Sequence, residues 1–98
     1  MNDKETSREI RKRIRRVLMS EWDPIGVKEI PEAADEYDIH LGDIYARIAR
    51  NATLSKISEY LCWVEVERMG LVNEHGAPLL AESVRNSVAA SLMALQSN

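Results

Sequence analysis

The sequence contains no phenylalanine and one cysteine, and its three prolines all lie between stretches of helical periodicity. A single cysteine, Cys62, excludes an internal disulfide and favours a reducing compartment. Because Cys62 lies within a helical pattern, we expect a buried, unreactive thiol. No apolar stretch approaches the ~20 residues that cross a membrane, and the polar N-terminus lacks the hydrophobic stretch of a signal peptide. These absences predict a cytoplasmic, all-α protein.

The length of 98 residues fits one domain and is too short for two self-sufficient cores. Hydrophobic residues make up 45% of the chain and charged residues 30%, a balance typical of a folded globular protein. We therefore predict a single helical domain over residues 1–98, in which residues 1–6 are disordered.

Charge is distributed unevenly along the chain. Residues 1–20 carry seven Lys and Arg against three acidic residues, whereas residues 21–43, the acidic segment, carry one Lys against eight. Residues 44–98 carry five of each sign, so the net charge of −3 conceals a strong polarity within the first half. The acidic segment can neutralise the basic one internally, or either can attract a partner of opposite charge.

Four amphipathic patterns predict a compact four-helix domain with a long ordered loop between helices 1 and 2. The fourth pattern has no charged residue after Arg85. A helix that is apolar or small on most sides lies at the centre of a bundle or in a subunit interface, so we predict a homodimer through helix 4. The predicted helices span about residues 5–21, 36–51, 53–69 and 78–95.

Local signals mark where these helices begin and end. Asp35 is the predicted N-cap of the second helix, and Thr53 or Ser55 caps the third. Gly70 is typical of a Schellman stop at the end of the third helix. Pro78 suits the first turn of the fourth.

The most unusual stretch is Trp22-Asp23-Pro24-Ile25-Gly26-Val27, where the basic and acidic segments meet. Pro24 removes a backbone donor and excludes the residue before it from the helical region, so the first helix must end here. Trp22 can bury a large area while its indole N–H finds an acceptor. We predict an anchored loop and leave two roles open, a structural one and a recognition surface.

Two residues of the third helix are informative. Glu65 lies near the apolar stripe, so it must be paired, hydrogen-bonded or at the edge of the stripe. Trp63 lies on the opposite, charged side, where an aromatic residue is typical of a binding interface. The alternative is that Trp63 packs under the first helix or the Trp22 loop.

We find no catalytic constellation in the sequence. It lacks a Glu-x-x-His pair, EF-hand spacing, a Cys/His cluster and a Gly-rich phosphate loop. We therefore predict no enzymatic activity, no metal and no cofactor. Residues 53–71 resemble a short regulatory helix of a helix-turn-helix protein, ending in Gly-Leu. A recognition helix must be basic, but this one carries three Glu against one Lys and one Arg, so DNA binding would fall to the first helix.

Three stretches together resemble a family of small bacterial helical domains of unknown function. Its members read Trp-Asp-Pro-Ile-Gly, a short variable loop, Asp-Glu-Tyr-Asp-x-Tyr, and a helix ending Glu-x-Glu-x-Met-Gly-Leu. The resemblance covers about residues 15–95 and departs from the pattern at His40 or Leu41, where the family has tyrosine. It implies a helical fold and no activity, and small proteins of this kind are similar to immunity proteins of toxin systems. The matching stretches here are Trp22–Val27, Asp35-Glu36-Tyr37-Asp38 and Glu65–Leu71.

These observations predict a protein-interaction domain of immunity type, which neutralises a basic partner such as a toxin nuclease through an acidic surface. The alternative is a nucleic-acid-binding regulatory protein that uses the basic first helix, Arg8–Arg16. A membrane partner is not expected. The predicted partner-binding residues are Trp22, Asp23, Asp35, Glu36, Tyr37, Asp38 and Trp63.

Overall fold

The computed structural model describes residues 3–26, 29–30, 32 and 35–95, and most of these are helical. No β-strand occurs among these residues, and four α-helices build the fold, which confirms the all-α prediction. The Cα radius of gyration is 13.4 Å, close to the ~13 Å of a compact domain of this length. The helices are α1 (Asp3–Val17), α2 (Leu41–Ala49), α3 (Leu54–Trp63) and α4 (Glu82–Ala94).

Helix α1 begins earlier than its apolar periodicity indicated. The helix starts at Asp3, so residues 3–6, which were predicted to be disordered, have helical backbone. Residues 1 and 2 lie outside the described residues.

Two of the helices continue into a single π-helical turn. These turns are Leu18–Trp22 after α1 and Val64–Arg68 after α3. The first is closed by a hydrogen bond from the backbone N–H of Asp23 to the carbonyl of Leu18, at 2.7 Å. Asp23 has a φ of +34°, in the left-handed region that Asp tolerates better than most residues. The first helix therefore ends beside Pro24, as predicted.

Two predicted helix ends are confirmed. The hydroxyl of Thr53 accepts a hydrogen bond from the backbone N–H of Lys56 at 3.2 Å, which caps α3. At the other end, Gly70 has a φ of +66° and the N–H of Leu71 donates to the carbonyl of Glu65 at 2.8 Å. This bond spans one position more than the six-to-one bond of a Schellman motif because the turn before it is π-helical, and Gly70 ends the helix in the left-handed conformation as predicted.

Two other predicted starts are wrong. A 3₁₀ turn, Asp38–His40, precedes α2, and no side chain caps either element, so Asp35 is not an N-cap. Pro78 does not begin α4, which starts at Glu82. The backbone of Pro78 instead forms an isolated antiparallel bridge with Val72, and the residues between them make a tight turn.

The core is formed by the apolar stripes of α1, α2 and α3 together with Val88 and Leu92 of α4. The buried side of α4 also includes Arg85 and Ala89, whereas the apolar Val84 is exposed. Cys62, expected to be buried, is partly exposed. The buried apolar residues from the predicted stripes are Ile14, Val17, Leu18, Tyr37, Leu41, Ile44, Ile48, Ile57, Leu61, Val64, Val88 and Leu92.

The connection between α1 and α2 is described at its two ends. Residues 27, 28, 31, 33 and 34 lie outside the described residues, so a continuously ordered loop stays a prediction. At the first end, Gly26 has a φ of +68°, a conformation that favours glycine. At the second end, Tyr37 is buried in the core.

Candidate interaction surfaces

Trp22 is the last residue of the first π-helical turn, and only 4% of its surface is exposed. Its indole Nε1–H donates a hydrogen bond to Oε2 of Glu65 at 2.8 Å. Glu65 is fully buried at the start of the second π-helical turn. This confirms the structural role of Trp22 and the expectation that Glu65 is paired.

Arg85 of α4 donates further hydrogen bonds to the Glu65 carboxylate. Its Nη2 lies 2.9 Å from Oε1 and its Nε lies 3.2 Å from Oε2, which makes the pair bidentate. Arg85 Nη2 also donates to the carbonyl of Leu80 at 3.1 Å. Hydrogen bonding to Glu65 raises the pKa of Arg85, against the opposing effect of its own burial. The ion pair thus ties α4 to the end of α3.

Tyr37 anchors the loop from the other side. Its hydroxyl donates to Oδ1 of Asp23 at 2.8 Å and accepts from the backbone N–H of Ile25 at 3.2 Å. Its ring centroid lies 5.4 Å from that of Trp22. Burial is the main cause that raises the pKa of Tyr37 above its ordinary value.

Five residues therefore make one structural unit, which we name the Trp22 cluster. Among the described residues, no buried side-chain nitrogen or oxygen lacks a hydrogen-bond partner. Trp22 and Tyr37, predicted to contact a partner, present almost no surface, and the structure places them in the core instead. The members of the cluster are Trp22, Asp23, Tyr37, Glu65 and Arg85.

The remaining predicted acidic residues differ in their surroundings. Asp35 and Glu36 are exposed. Asp38 forms an ion pair with Arg15 of α1, with Arg15 Nε donating to Asp38 Oδ1 at 2.8 Å. This hydrogen bond raises the pKa of Arg15. The basic and acidic segments thus neutralise each other at this position, one of the two alternatives left open by the sequence.

The basic helix α1 keeps an exposed cationic face. Arg8, Lys12 and Arg16 are exposed and lie one turn apart. Arg11 differs, because its guanidinium lies 5.3 Å from the ring centroid of Tyr45 on α2.

A second aromatic cluster links α2 and α3, with Tyr60 buried and Trp63 at the surface. Trp63 is 46% exposed, and its ring centroid is 6.0 Å from that of Tyr60. The hydroxyl of Tyr60 donates to Oδ2 of Asp43 at 3.1 Å, while Arg47 lies 4.0 Å above the Tyr60 ring. Arg68 lies 5.2 Å from the centroid of the Trp63 ring. Of the two predicted placements of Trp63, the structure therefore shows the exposed one.

These side chains border an open cavity of about 700 Å³. Burial, followed by the charge of Asp43, raises the pKa of Tyr60 to about 12, so its hydroxyl stays a donor at neutral pH. We name this cavity the Trp63 groove. It is lined by Asp43, Arg47, Arg50, Ala52, Lys56, Glu59, Tyr60 and Trp63.

Sequence reasoning found Trp63 and missed the groove. The signal was a pair of matching stripes, one on each helix, with spacings of four and then three residues. Helical periodicity places each stripe on one face, but only the packing of α2 against α3 brings the two together. The stripes are Asp43, Arg47 and Arg50, and Lys56, Tyr60 and Trp63.

A metal site and a membrane-spanning helix are both absent from the same described residues. No group of three or more His, Cys, Asp or Glu side chains is placed to hold a metal ion. No helix has the length and apolar character needed to cross a membrane.

Comparison with known proteins gives no match. No protein-family model fits the chain, and no curated protein or solved structure is similar to it. The resemblance to the family of small bacterial domains therefore stays an expectation.

Proposed function

We propose that this chain is a non-enzymatic, cytoplasmic protein-interaction domain that binds a basic protein through Asp35 and Glu36. The observation that carries the proposal is their position: both are exposed and directly precede the buried Tyr37. Since the Tyr37 side chain is fixed by Asp23 and Ile25, the backbone next to it is held in place. A preorganised surface loses less entropy on binding than a free loop.

The other acidic residues assist by charge. The acidic segment holds eight carboxylates and one Lys, and a concentration of one sign accelerates association with an oppositely charged partner. Asp38 is held by Arg15, so a partner cation must compete with that guanidinium for it. We therefore assign direct contact to Asp35 and Glu36 and a supporting role to Asp23 and Asp38.

A toxin nuclease is the partner class that fits this surface best. A cleft that binds the phosphates of a nucleic acid is basic, and rigid carboxylates can occupy it. The chain would then act as an immunity-type protein, as the resemblance implies.

The experiment is affinity capture with the immobilised protein, followed by identification of the captured proteins. The Asp35→Lys/Glu36→Lys variant should lose a basic partner that the parent protein retains. The matched control is Glu67→Lys/Glu74→Lys, which changes charge equally at two exposed positions and should retain the partner. Retention of the partner by Asp35→Lys/Glu36→Lys rejects this surface.

The alternative function, nucleic-acid binding through α1, is favoured by the exposed row of Arg8, Lys12 and Arg16. A mobility-shift assay at low salt should then show a complex that Arg8→Glu/Lys12→Glu/Arg16→Glu abolishes. The absence of any shift leaves only the protein-binding class.

Self-association through α4 remains part of the proposal. Val84 of α4 and the preceding Leu79 are large apolar residues on the surface, which supports a buried contact between copies. Equilibrium sedimentation should show a dimer that Val84→Glu dissociates. A monomer at high micromolar concentration contradicts this interface.

A further inference from the structure

We propose that the Trp63 groove is a second binding site and that it takes a short acidic peptide segment of a partner protein, with an apolar side chain against Trp63. This site is separate from Asp35 and Glu36, and it does not depend on the function proposed above.

The composition of the groove is that of an interaction hot spot. Binding energy at protein interfaces concentrates on Trp, Tyr and Arg residues. Here Trp63 is half-exposed beside the ring of Tyr60, and Arg47 lies 4.0 Å from the centroid of that ring. The volume of about 700 Å³ falls within the range of ~300–1,000 Å³ typical of ligand sites.

Charge identifies the chemistry of the ligand. Three cations line the groove, Arg47, Arg50 and Lys56, against two carboxylates. The carboxylate of Asp43 accepts a hydrogen bond from the hydroxyl of Tyr60, and that of Glu59 lies 3.8 Å from Lys56. Arg50 is exposed at the mouth of the groove. Carboxylates of a peptide complement this excess of positive charge.

The packing of the side chains favours a preformed site. Arg47 is held over Tyr60 and donates to the backbone carbonyl of Asp43 at 3.0 Å. The Tyr60 hydroxyl links α3 to Asp43 of α2. Because contacts within the protein hold these side chains, binding requires little additional ordering.

A single-stranded nucleic acid fits less well than a peptide. Stacking a base needs a whole open face of the ring, whereas an apolar side chain needs only the exposed part of Trp63 that Tyr60 and Arg68 leave uncovered. The chain also carries a net charge of −3, which disfavours a long polyanion. A peptide with a few carboxylates avoids both obstacles.

The experiment follows the emission of Trp63 during titration with an N-acetylated peptide of alternating glutamate and leucine. Trp22 is buried and provides a constant background. We expect the peptide to change the Trp63 emission, and Arg50→Gln/Lys56→Gln to raise Kd roughly tenfold. The matched control, Arg8→Gln/Lys12→Gln, removes the same charge from α1 and should leave Kd unchanged.

Each other outcome overturns the proposal. The first is that the peptide causes no change in emission at millimolar concentration, or that Arg50→Gln/Lys56→Gln binds it as tightly as the parent protein does. A change in emission with oligothymidylate but not with the peptide would assign the groove to nucleic acid. Self-association in sedimentation that Arg50→Gln/Lys56→Gln abolishes would assign the groove to a second copy of the chain.

Discussion

The two tryptophans of this chain have similar companions and different surroundings. Each ring packs near a tyrosine whose hydroxyl donates to an aspartate. Each group also includes an arginine, which binds the same Glu65 as Trp22 in one case and lies 5.2 Å from the centroid of Trp63 in the other. One group belongs to the Trp22 cluster and the other lies in and beside the Trp63 groove. The two groups are Trp22, Tyr37, Asp23 and Arg85, and Trp63, Tyr60, Asp43 and Arg68.

Burial separates the two groups. Trp22 lies in a π-helical turn that directs its indole to the fully buried Glu65, so all its polar contacts are internal. Trp63 lies on the same helix as Tyr60 but remains half-exposed, where Arg68 covers part of its ring. The same residue types therefore stabilise the fold in one place and form an accessible surface in the other.

Replacing the arginine of each group should give the largest difference in stability between the two groups. Arg85→Met leaves Glu65 buried without its cation, which should lower the free energy of unfolding by about 3–5 kcal/mol. Arg68→Met removes only an exposed contact and should change it by less than ~0.5 kcal/mol. Urea unfolding of both variants measures the difference.

A double variant distinguishes the loss of the Glu65–Arg85 ion pair from the cost of leaving the Glu65 carboxylate without a cation. Glu65→Met/Arg85→Met replaces both charged partners by apolar residues and should recover part of the stability that Arg85→Met loses, because the indole N–H of Trp22 is then left without its acceptor. Equal losses in the single and double variants would contradict the assignment of the cost to an unpaired carboxylate.

Replacing each tryptophan by phenylalanine gives a smaller contrast. Trp22→Phe removes the Nε1–H donor to Glu65 and part of a packed ring, and should cost about 1–3 kcal/mol of unfolding free energy. Trp63→Phe should stay within ~0.5 kcal/mol, because that ring is half-exposed. Comparable losses in chemical denaturation would show that Trp63 is as structural as Trp22.

The hydroxyl groups of Tyr37 and Tyr60 have higher pKa values than that of an exposed tyrosine. Burial raises the pKa of Tyr37 above its ordinary value and that of Tyr60 to about 12. The folded protein therefore keeps both phenolic protons above pH ~10, where the unfolded chain loses them. Their contribution to stability is complete below pH ~10 and declines above it.

The melting temperature of the parent protein should accordingly fall as the pH rises above ~10. Tyr37→Phe and Tyr60→Phe should each show a shallower fall, measured by circular dichroism. Unchanged slopes in both variants would show that neither phenol is protected by the fold.

Local rules predicted much of the fold and of the Trp22 cluster. The spacing of apolar residues indicated four helices, Gly70 marked the end of α3, and the position of Glu65 near an apolar stripe required a partner for it. Each inference used the chemistry of residues within one helix or turn. The identity of the partners, Trp22 and Arg85, depends on contacts across 43 and 20 positions of the chain, which periodicity does not specify.

The sequence-based predictions failed at positions where tertiary contacts override local preference. Arg85 lies inward, where it pairs with Glu65, whereas its apolar neighbour Val84 is exposed. Asp35 resembles an N-cap, but the buried Tyr37 follows it and the helical turn begins after that anchor. The groove escaped prediction for a similar reason, since it exists only when two helices are packed together.

The smallest expected effect concerns His40, whose charge would interact with those of Asp43 and Arg68. Burial is the main cause that lowers the pKa of His40, Arg68 lowers it further, and Asp43 opposes them. The folded state therefore binds a proton less readily than the unfolded chain. Stability is complete above the ordinary histidine pKa of about 6.5 and declines as the pH falls below it.

His40→Gln should make the melting temperature less sensitive to pH between ~7 and ~5. The matched control is His75→Gln, which changes an exposed histidine in the turn before α4 and should leave this dependence as in the parent. If His40→Gln retains the full acid sensitivity, the decline arises elsewhere. The Trp22 cluster contains no histidine, so a positive result places this mild acid response outside that cluster, at a histidine that Asp43 and Arg68 influence.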